Sequence, residues 1–207
     1  MTATLIQSPD RVVLQNISWQ SYQGLIRDFA QEPAIRLTYD HGALEIRMPL
    51  DPHEPFKKLI GRLLEAVTEE LNLEIRSLGS RICDREDLIN GLEPDQCYYI
   101  QNEPQVRGIE EIDLTQLPPP DLAVEIDITS SSLNRFSIYQ TLGVPEIWRY
   151  DGNRLEIYVL QGDEYIIQSS SRALPLLATD ILRFLIPRQT LSENALVKQF
   201  RQWIRKQ

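Results

Sequence analysis

The residues of this chain best placed to do chemistry are carboxylates. Asp121, Glu125 and Asp127 fall within seven residues of one another in the run DLAVEIDI. Leu122, Val124, Ile126 and Ile128 alternate with them, the period-two pattern of a strand with one apolar face. Like charges along one strand face repel, and this strand has no Lys or Arg of its own. The pattern therefore asks for a cation, or a basic side chain brought in from elsewhere.

The flanking sequence sets that strand in a larger unit. Pro118 to Pro120 precede it, and proline continues neither a helix nor a central strand. Thr129 to Ser132 follow it, hydroxyls suited to capping a helix. Leu133, Phe136, Tyr139 and Leu142 then lie on one helical side. Gly143 stands where a helix takes a left-handed last residue, and Val144-Pro145 leads into a strand from Glu146 to Tyr150. Strand, helix, strand is the signal of a mixed or parallel sheet.

The rest of the chain supplies elements of the same kind. Residues 1–16 are poorly patterned and are expected to form an extended arm, with one domain over residues 17–207. Ser18 to Phe29 has helical spacing. Ala34–Tyr39 and Ala43–Met48 read as a hairpin about Asp40-His41-Gly42. Phe56, Leu59, Ile60, Leu63, Leu64, Val67 and Leu71 make the amphipathic stripe of a long helix. Leu73–Leu78 reads as a strand, residues 80–92 as irregular, and Gln96–Ile100 as a short aromatic strand. Asn102 to Pro120 is a long connection broken by prolines. Turns at Asp151-Gly152-Asn153 and Gln161-Gly162-Asp163 mark a three-stranded meander, a short helix begins near Thr179, and Ser192–Lys206 is a final amphipathic helix.

Composition narrows the function classes. The chain has 207 residues, 42% hydrophobic and 25% charged, as an ordinary folded domain has. No apolar run is long enough to cross a bilayer and the N-terminus lacks a secretion signal, so a cytoplasmic protein with no membrane contact is expected. Cys83 and Cys97 have no metal-site spacing and are expected to be buried free thiols. The net charge is −9, from 21 Lys+Arg against 30 Asp+Glu. That is opposite to the basic surface of a nonspecific nucleic-acid binder. The strip Lys198, Arg201, Arg205 and Lys206 reads as a solvated helix face.

Three segments together carry a family resemblance: GALEIRMPLDPHEPFKKLIGRLL, GSRICDREDLINGLEPDQCYYI and PDLAVEIDITSSSLNRFSIYQTLGVPEIWRYDG. In this order they resemble the Uma family of endonucleases, within the PD-(D/E)xK superfamily, over roughly residues 17–190. The resemblance implies an α/β fold: a restriction-endonuclease-like mixed central sheet flanked by helices, here with an added antiparallel meander. It implies a nuclease that hydrolyses phosphodiester bonds in nucleic acid, DNA first, through Mg2+ (or Mn2+). It also suggests a homodimer.

Such chemistry needs carboxylates to hold the ion, which polarises the phosphate and acidifies a water, and a fixed positive charge beside it. By resemblance, Asp95 of Pro94-Asp95 and Glu125 are the metal ligands, the Ile126 carbonyl completes the shell, and Glu54 is an acidic residue added from the long helix. The superfamily's lysine, two residues after the core acid, is replaced here by Asp127. The Uma pattern carries it in the next helix, where this chain has Arg135. Arginine stabilises charge but does not act as a general base. Lys57 or Lys58 is a substitute if the long helix faces the site. The same residues also suit a catalytically inactive binding or assembly protein, with Glu125 and Asp127 in a structural ion-pair network with Arg135 or Lys57.

Overall fold

The computed structural model of the chain describes residues 6–8, 11–32, 34–48, 53–126, 133–176 and 178–207. Among these are two six-stranded sheets and six helices. The first sheet has the order β1-β2-β4-β3-β7-β6, with β1 Ile6–Ser8, β2 Arg11–Leu14, β3 Arg36–Asp40, β4 Ala43–Arg47, β6 Cys83–Arg85 and β7 Asn90–Leu92. The second has the order β12-β11-β10-β9-β8-β5, with β5 Arg76–Gly79, β8 Gln96–Tyr99, β9 Leu122–Ile126, β10 Glu146–Tyr150, β11 Leu155–Gln161 and β12 Glu164–Gln168. The helices are α1 Trp19–Asp28, α2 His53–Glu70, α3 Glu103–Val106, α4 Arg135–Leu142, α5 Ala178–Leu185 and α6 Glu193–Ile204.

The second sheet is the mixed one. β9 and β10 run parallel, joined by α4, while β5, β8, β11 and β12 pair antiparallel with their neighbours. The expected meander is β10-β11-β12. On one face, α2, α5 and α6 cover Tyr98, Leu122, Val124, Ile126 and Trp148. On the other, Ile138, Tyr139 and Leu142 of α4 cover Cys97, Ala123 and Ile147. β9 is therefore buried on both faces, where the sequence pattern predicted one apolar face and one charged face. α2 lies close against β8: a Cβ on Gly61 would fall 2.9 Å from Gln96 Oε1, and Gln96 Nε2 donates to the Lys57 carbonyl at 2.8 Å.

The first sheet is two-faced. Leu37, Tyr39 and Leu44 pack with Tyr22 of α1. The pairs Arg36↔Arg47 and Thr38↔Glu45 place these four side chains together on the opposite face. All four are buried. The hairpin turns where predicted, with His41 and Gly42 both at positive φ.

Several expectations need correction. Residues 80–92 are not irregular: β6 and β7 are each three residues long, too short for alternation to register. The strand expected over Leu73–Leu78 is β5, shifted toward Gly79. The long connection contains α3, and Arg11–Leu14 of the supposed arm pairs with β4. Cys83 and Cys97, by contrast, are the buried free thiols that were expected. The Thr129–Ser132 hydroxyls, Ile128, Asp51 and Pro52 lie outside the described residues; Asn134 caps α4, accepting from Ser137 N–H at 3.3 Å. No helix among the described residues is long and apolar enough to cross a membrane.

The basic strip on α6 is solvated as expected, with Lys198, Arg205 and Lys206 exposed, and its arginines are ion-paired. Arg201 reaches Glu69 at 2.5 Å and Glu70 at 3.0 Å, and Arg205 reaches Glu70 at 2.6 Å. These hydrogen bonds hold the Glu70 carboxyl at about 2, below its ordinary 4.5. A depressed folded-state pKa contributes stability above the unfolded value and loses it as pH falls through the folded one. The α2–α6 contact therefore weakens between pH 4.5 and about 2. Glu70→Gln is expected to flatten that part of the acid limb in melting curves taken at stepped pH, with little change in slope above pH 5 or so.

Candidate active site

The antiparallel register of β8 and β9 pairs Gln96 with Val124 and Cys97 with Ala123. One step further, Asp95 stands opposite Glu125 on the face that α4 covers. Both carboxylates are nearly out of solvent, with exposures of 2% and 6%. Asp95 Oδ2 accepts the Ile126 backbone N–H at 2.7 Å, which ties the start of β8 to the end of β9. Its other oxygen lies 3.7 Å from Arg47 Nη2, an ion-pair distance rather than a hydrogen bond.

Arg135, at the first turn of α4, points into this space and is 8% exposed. Its Nη2 donates to Glu125 Oε1 at 2.5 Å and to the Glu93 carbonyl at 2.7 Å, and its Nη1 donates to Thr38 Oγ1 at 2.7 Å. The Tyr139 hydroxyl donates to the same Glu125 oxygen. The guanidinium also lies 6.0 Å from the centre of the Tyr139 ring.

Burial pushes the Glu125 carboxyl above the usual carboxylate range, Arg135 pulls it back, and Asp95 adds to the rise. Burial works against charge on Arg135, but Glu125 more than restores it, so the guanidinium stays protonated. Burial likewise raises Glu93, against which Arg36 acts at 3.8 Å.

The structure thus brings Asp95, Glu125, Ile126 and Arg135 together. Glu54 begins α2, and its half-exposed carboxylate pairs with Lys57 at 3.3 Å; the charge of Lys57 in turn acts against the rise of the Glu93 carboxyl. Lys58 is exposed on that helix. Asp121 serves a loop, its carboxylate accepting from Ile100 N–H at 2.7 Å, Asn102 N–H at 2.9 Å and the Asn102 side chain at 2.7 Å. Asp127 and the His53 side chain lie outside what the structure describes. The sequence reading missed Arg36, Thr38, Glu45, Arg47, Glu93 and Tyr139. The first four were visible as the polar half of the hairpin's alternation, a pattern that ordinarily marks a solvent face.

A profile of the Uma2 family, described as "Putative restriction endonuclease", matches residues 19–186. The chain belongs to the Uma2 family. The mixed sheet, its flanking helices and the added meander are as the resemblance implied; the six-stranded antiparallel sheet beside them was not expected. Among solved structures, the chain is similar to the crystal structure of a "putative nuclease belonging to DUF820 from Anabaena variabilis ATCC 29413", at 17% identity, with 77% of this chain and 98% of that one covered and a TM-score of 0.49. No curated protein sequence matches the chain.

A magnesium site can be tested against this chemistry. Two carboxylates and a backbone carbonyl at adjacent strand ends are the hard oxygen donors that magnesium takes with waters and substrate. The donor set fits, though no group of three or more His, Cys, Asp or Glu among the described residues converges as a metal cage. The charge balance sets a condition. Each carboxylate already faces a guanidinium, so an incoming ion competes with Arg135 for Glu125.

Removing one member of a buried ion pair leaves the other charged and desolvated, at about 3 kcal/mol or more. Glu125→Gln and Arg135→Met are each expected to cost that much in urea unfolding. The double variant should cost less than their sum, because neither charge then remains. Additive costs would show that the pair does not hold this part of the fold.

Proposed function

We propose that this Uma2 protein is a cytoplasmic nuclease that hydrolyses phosphodiester bonds in nucleic acid, DNA in the first instance, at Asp95, Glu125 and Arg135. The observation that carries the reading is the register-opposed pair Asp95 and Glu125 with a protonated arginine between the sheets beside them. On this reading Asp95, Glu125 and the Ile126 carbonyl hold Mg2+ or Mn2+, which polarises the phosphate and acidifies a water when bound. Arg135, released from Glu125, supplies fixed positive charge to the phosphate oxygens. Arg47 Nε and Nη2 make no hydrogen bond among the described residues, so this buried guanidinium has donors to spare for an anion beside Asp95. The working unit is a homodimer.

A second reading, a catalytically inactive nuclease-fold binding or assembly protein, is favoured by one observation. Glu125 is already neutralised by Arg135 and held by Tyr139, so a guanidinium occupies the position a cation would take. On the first reading Glu54 is the acidic residue that α2 adds.

Two measurements separate the readings. Magnesium at 100 times its Kd stabilises a protein that binds it only when folded by about 2.7 kcal/mol. The shift in melting temperature should appear in the wild type and largely vanish in Asp95→Asn. Nicking of supercoiled plasmid, run beside an RNA substrate, should be slow in the wild type and faster in Arg135→Lys, whose compact charge leaves room for the ion. Glu125→Gln should lower it by about 100-fold or more. Metal binding without cleavage by either the wild type or Arg135→Lys would establish the inactive reading for these substrates.

A further inference from the structure

A cleft of about 500 Å³ lies between α4 and the outer hairpin β11–β12, within the size range of small-ligand sites. Phe136 of α4, Tyr158 of β11 and Tyr165 of β12 line it, together with Gln140, Asp163 and Glu164. The two tyrosine rings stand at 61° and 78° to Phe136, with centres 4.6 and 5.7 Å away, so ring faces are turned in different directions. Asp163 and Glu164 are exposed at the tip of the hairpin. No lysine or arginine lines the cleft among the described residues. Carboxylates without a cation oppose a phosphate, but they accept hydrogen bonds from amino groups. Aromatic rings stack on flat aromatic ligands. A flat ligand with N–H groups along its edge meets both demands, and a nucleobase is of that kind.

Two structural links tie the cleft to Glu125. Arg135 and Phe136 are consecutive in the first turn of α4, so one turn sends a guanidinium to Glu125 and the next side chain to the cleft. Across the sheet, Glu125 is registered with Arg149 on β10, and Arg149 with Glu156 on β11. Laterally paired residues share a face. Asp95, Glu125, Arg149 and Glu156 therefore form one row on the α4 side. Tyr158 joins the end of it, its hydroxyl donating to Glu156 at 2.7 Å and meeting Arg149. Arg149 is also the one residue of β10 that is not buried. Neighbouring strands lie about 4.8 Å apart, so the row leads from Glu125 to the wall of the cleft over roughly 10 Å.

The geometry points to this cleft as the pocket for an unstacked nucleobase, the one that flanks the scissile phosphate on the β11 side, with Arg149 alongside the backbone between them. The inference rests on the nuclease reading for the position of that phosphate at Glu125. Phe136 and Tyr158 stack the base, and Asp163 and Glu164 accept from its edge. Guanine, adenine and cytosine carry exocyclic amino groups and thymine does not, so the cleft favours the first three. A base enters such a pocket only when it leaves the stack, so the substrate is single-stranded or locally opened.

The test uses a single-stranded hexanucleotide carrying one 2-aminopurine, mixed with the full chain in magnesium and read before cleavage accumulates. Stacking on a ring quenches 2-aminopurine fluorescence. A quench is expected with the wild type and not with Phe136→Leu, which keeps an apolar side chain at the packed position but no ring face. That variant should bind about tenfold more weakly. Its plasmid nicking should persist at saturating DNA, because the ring touches no reacting group. Oligo-dC should bind about fivefold more tightly than oligo-dT. The double variant Asp163→Asn with Glu164→Gln should erase that preference with melting temperature unchanged, since both side chains are exposed. Absence of a quench overturns the cleft whether or not the plasmid is nicked; nicking by itself decides the nuclease reading. A quench without nicking supports the cleft and gives it to the inactive binding protein. A quench that persists in Phe136→Leu, or a preference for oligo-dC that persists in the double variant, overturns the inference.

Discussion

The structure turns on one buried guanidinium. Arg135 comes from the helix that joins the two parallel strands, and its three hydrogen bonds go to β3, to the residue after β7 and to β9. It is therefore the joint between the two sheets. Desolvating a charge costs several kcal/mol unless partners replace the lost water. The partners here come from segments 97, 42 and 10 residues away. Their positions are over-determined by this demand: if α4, β9 or the hairpin moved, the guanidinium would lose an acceptor. The same joint holds Glu125 opposite Asp95, so the arrangement that specifies the fold also makes the candidate site.

Carboxylates of the central strands show how partners, not residue type, assign roles. Asp121 and Glu146 sit at the starting ends of β9 and β10 and accept backbone N–H groups from loops: Ile100 and Asn102 in one case, Arg172 and Ala173 in the other. Glu146 also takes the Trp148 indole N–H at 2.6 Å. Asp95 and Glu125 lie toward the other ends and face arginines. Asp121 and Glu146 have both oxygens filled by neutral donors, whereas Asp95 gives one oxygen to the Ile126 N–H and turns the other toward Arg47, and Glu125 meets Arg135. A carboxylate oxygen whose partner is a side-chain cation can exchange that cation for another. This difference, invisible in the spacing of Asp121 and Glu125, separates structural acids from candidate ligands.

Much of the fold was legible because periodicity is a local property. α2, α6 and the meander were readable from apolar spacing and turn residues, and β10 coincides with its predicted range. β6 and β7 were not readable, since three residues cannot show a period. The site was legible only through the resemblance; pattern alone located Glu125 and the need for a basic partner. The other half of the site was masked by a sound rule used in the wrong place. Polar residues alternating with apolar ones in a hairpin ordinarily face water, but Arg36, Thr38, Glu45 and Arg47 face the second sheet. No local signal distinguishes a polar face that meets solvent from one that meets another polar layer.

Net charge was likewise a coarse guide. The sum of −9 suggests repulsion of nucleic acid, yet the arginines are not spread evenly. Arg62, Arg85, Arg107, Arg201 and Arg205 are engaged by acids at or near the surface, Arg107 by the buried Glu103. Arg36, Arg47 and Arg135 are gathered in the interior with Glu45, Glu93, Asp95 and Glu125. Arg27, Lys58, Arg154, Lys198 and Lys206 are exposed, so cationic surface for releasing counterions along a duplex is present beside the larger number of acids. On the nuclease reading, affinity for a phosphate would draw on the interior guanidinium donors that become available when ion pairs open. Recognition and activation would then depend on the same event, the exchange of Glu125 for another partner of Arg135.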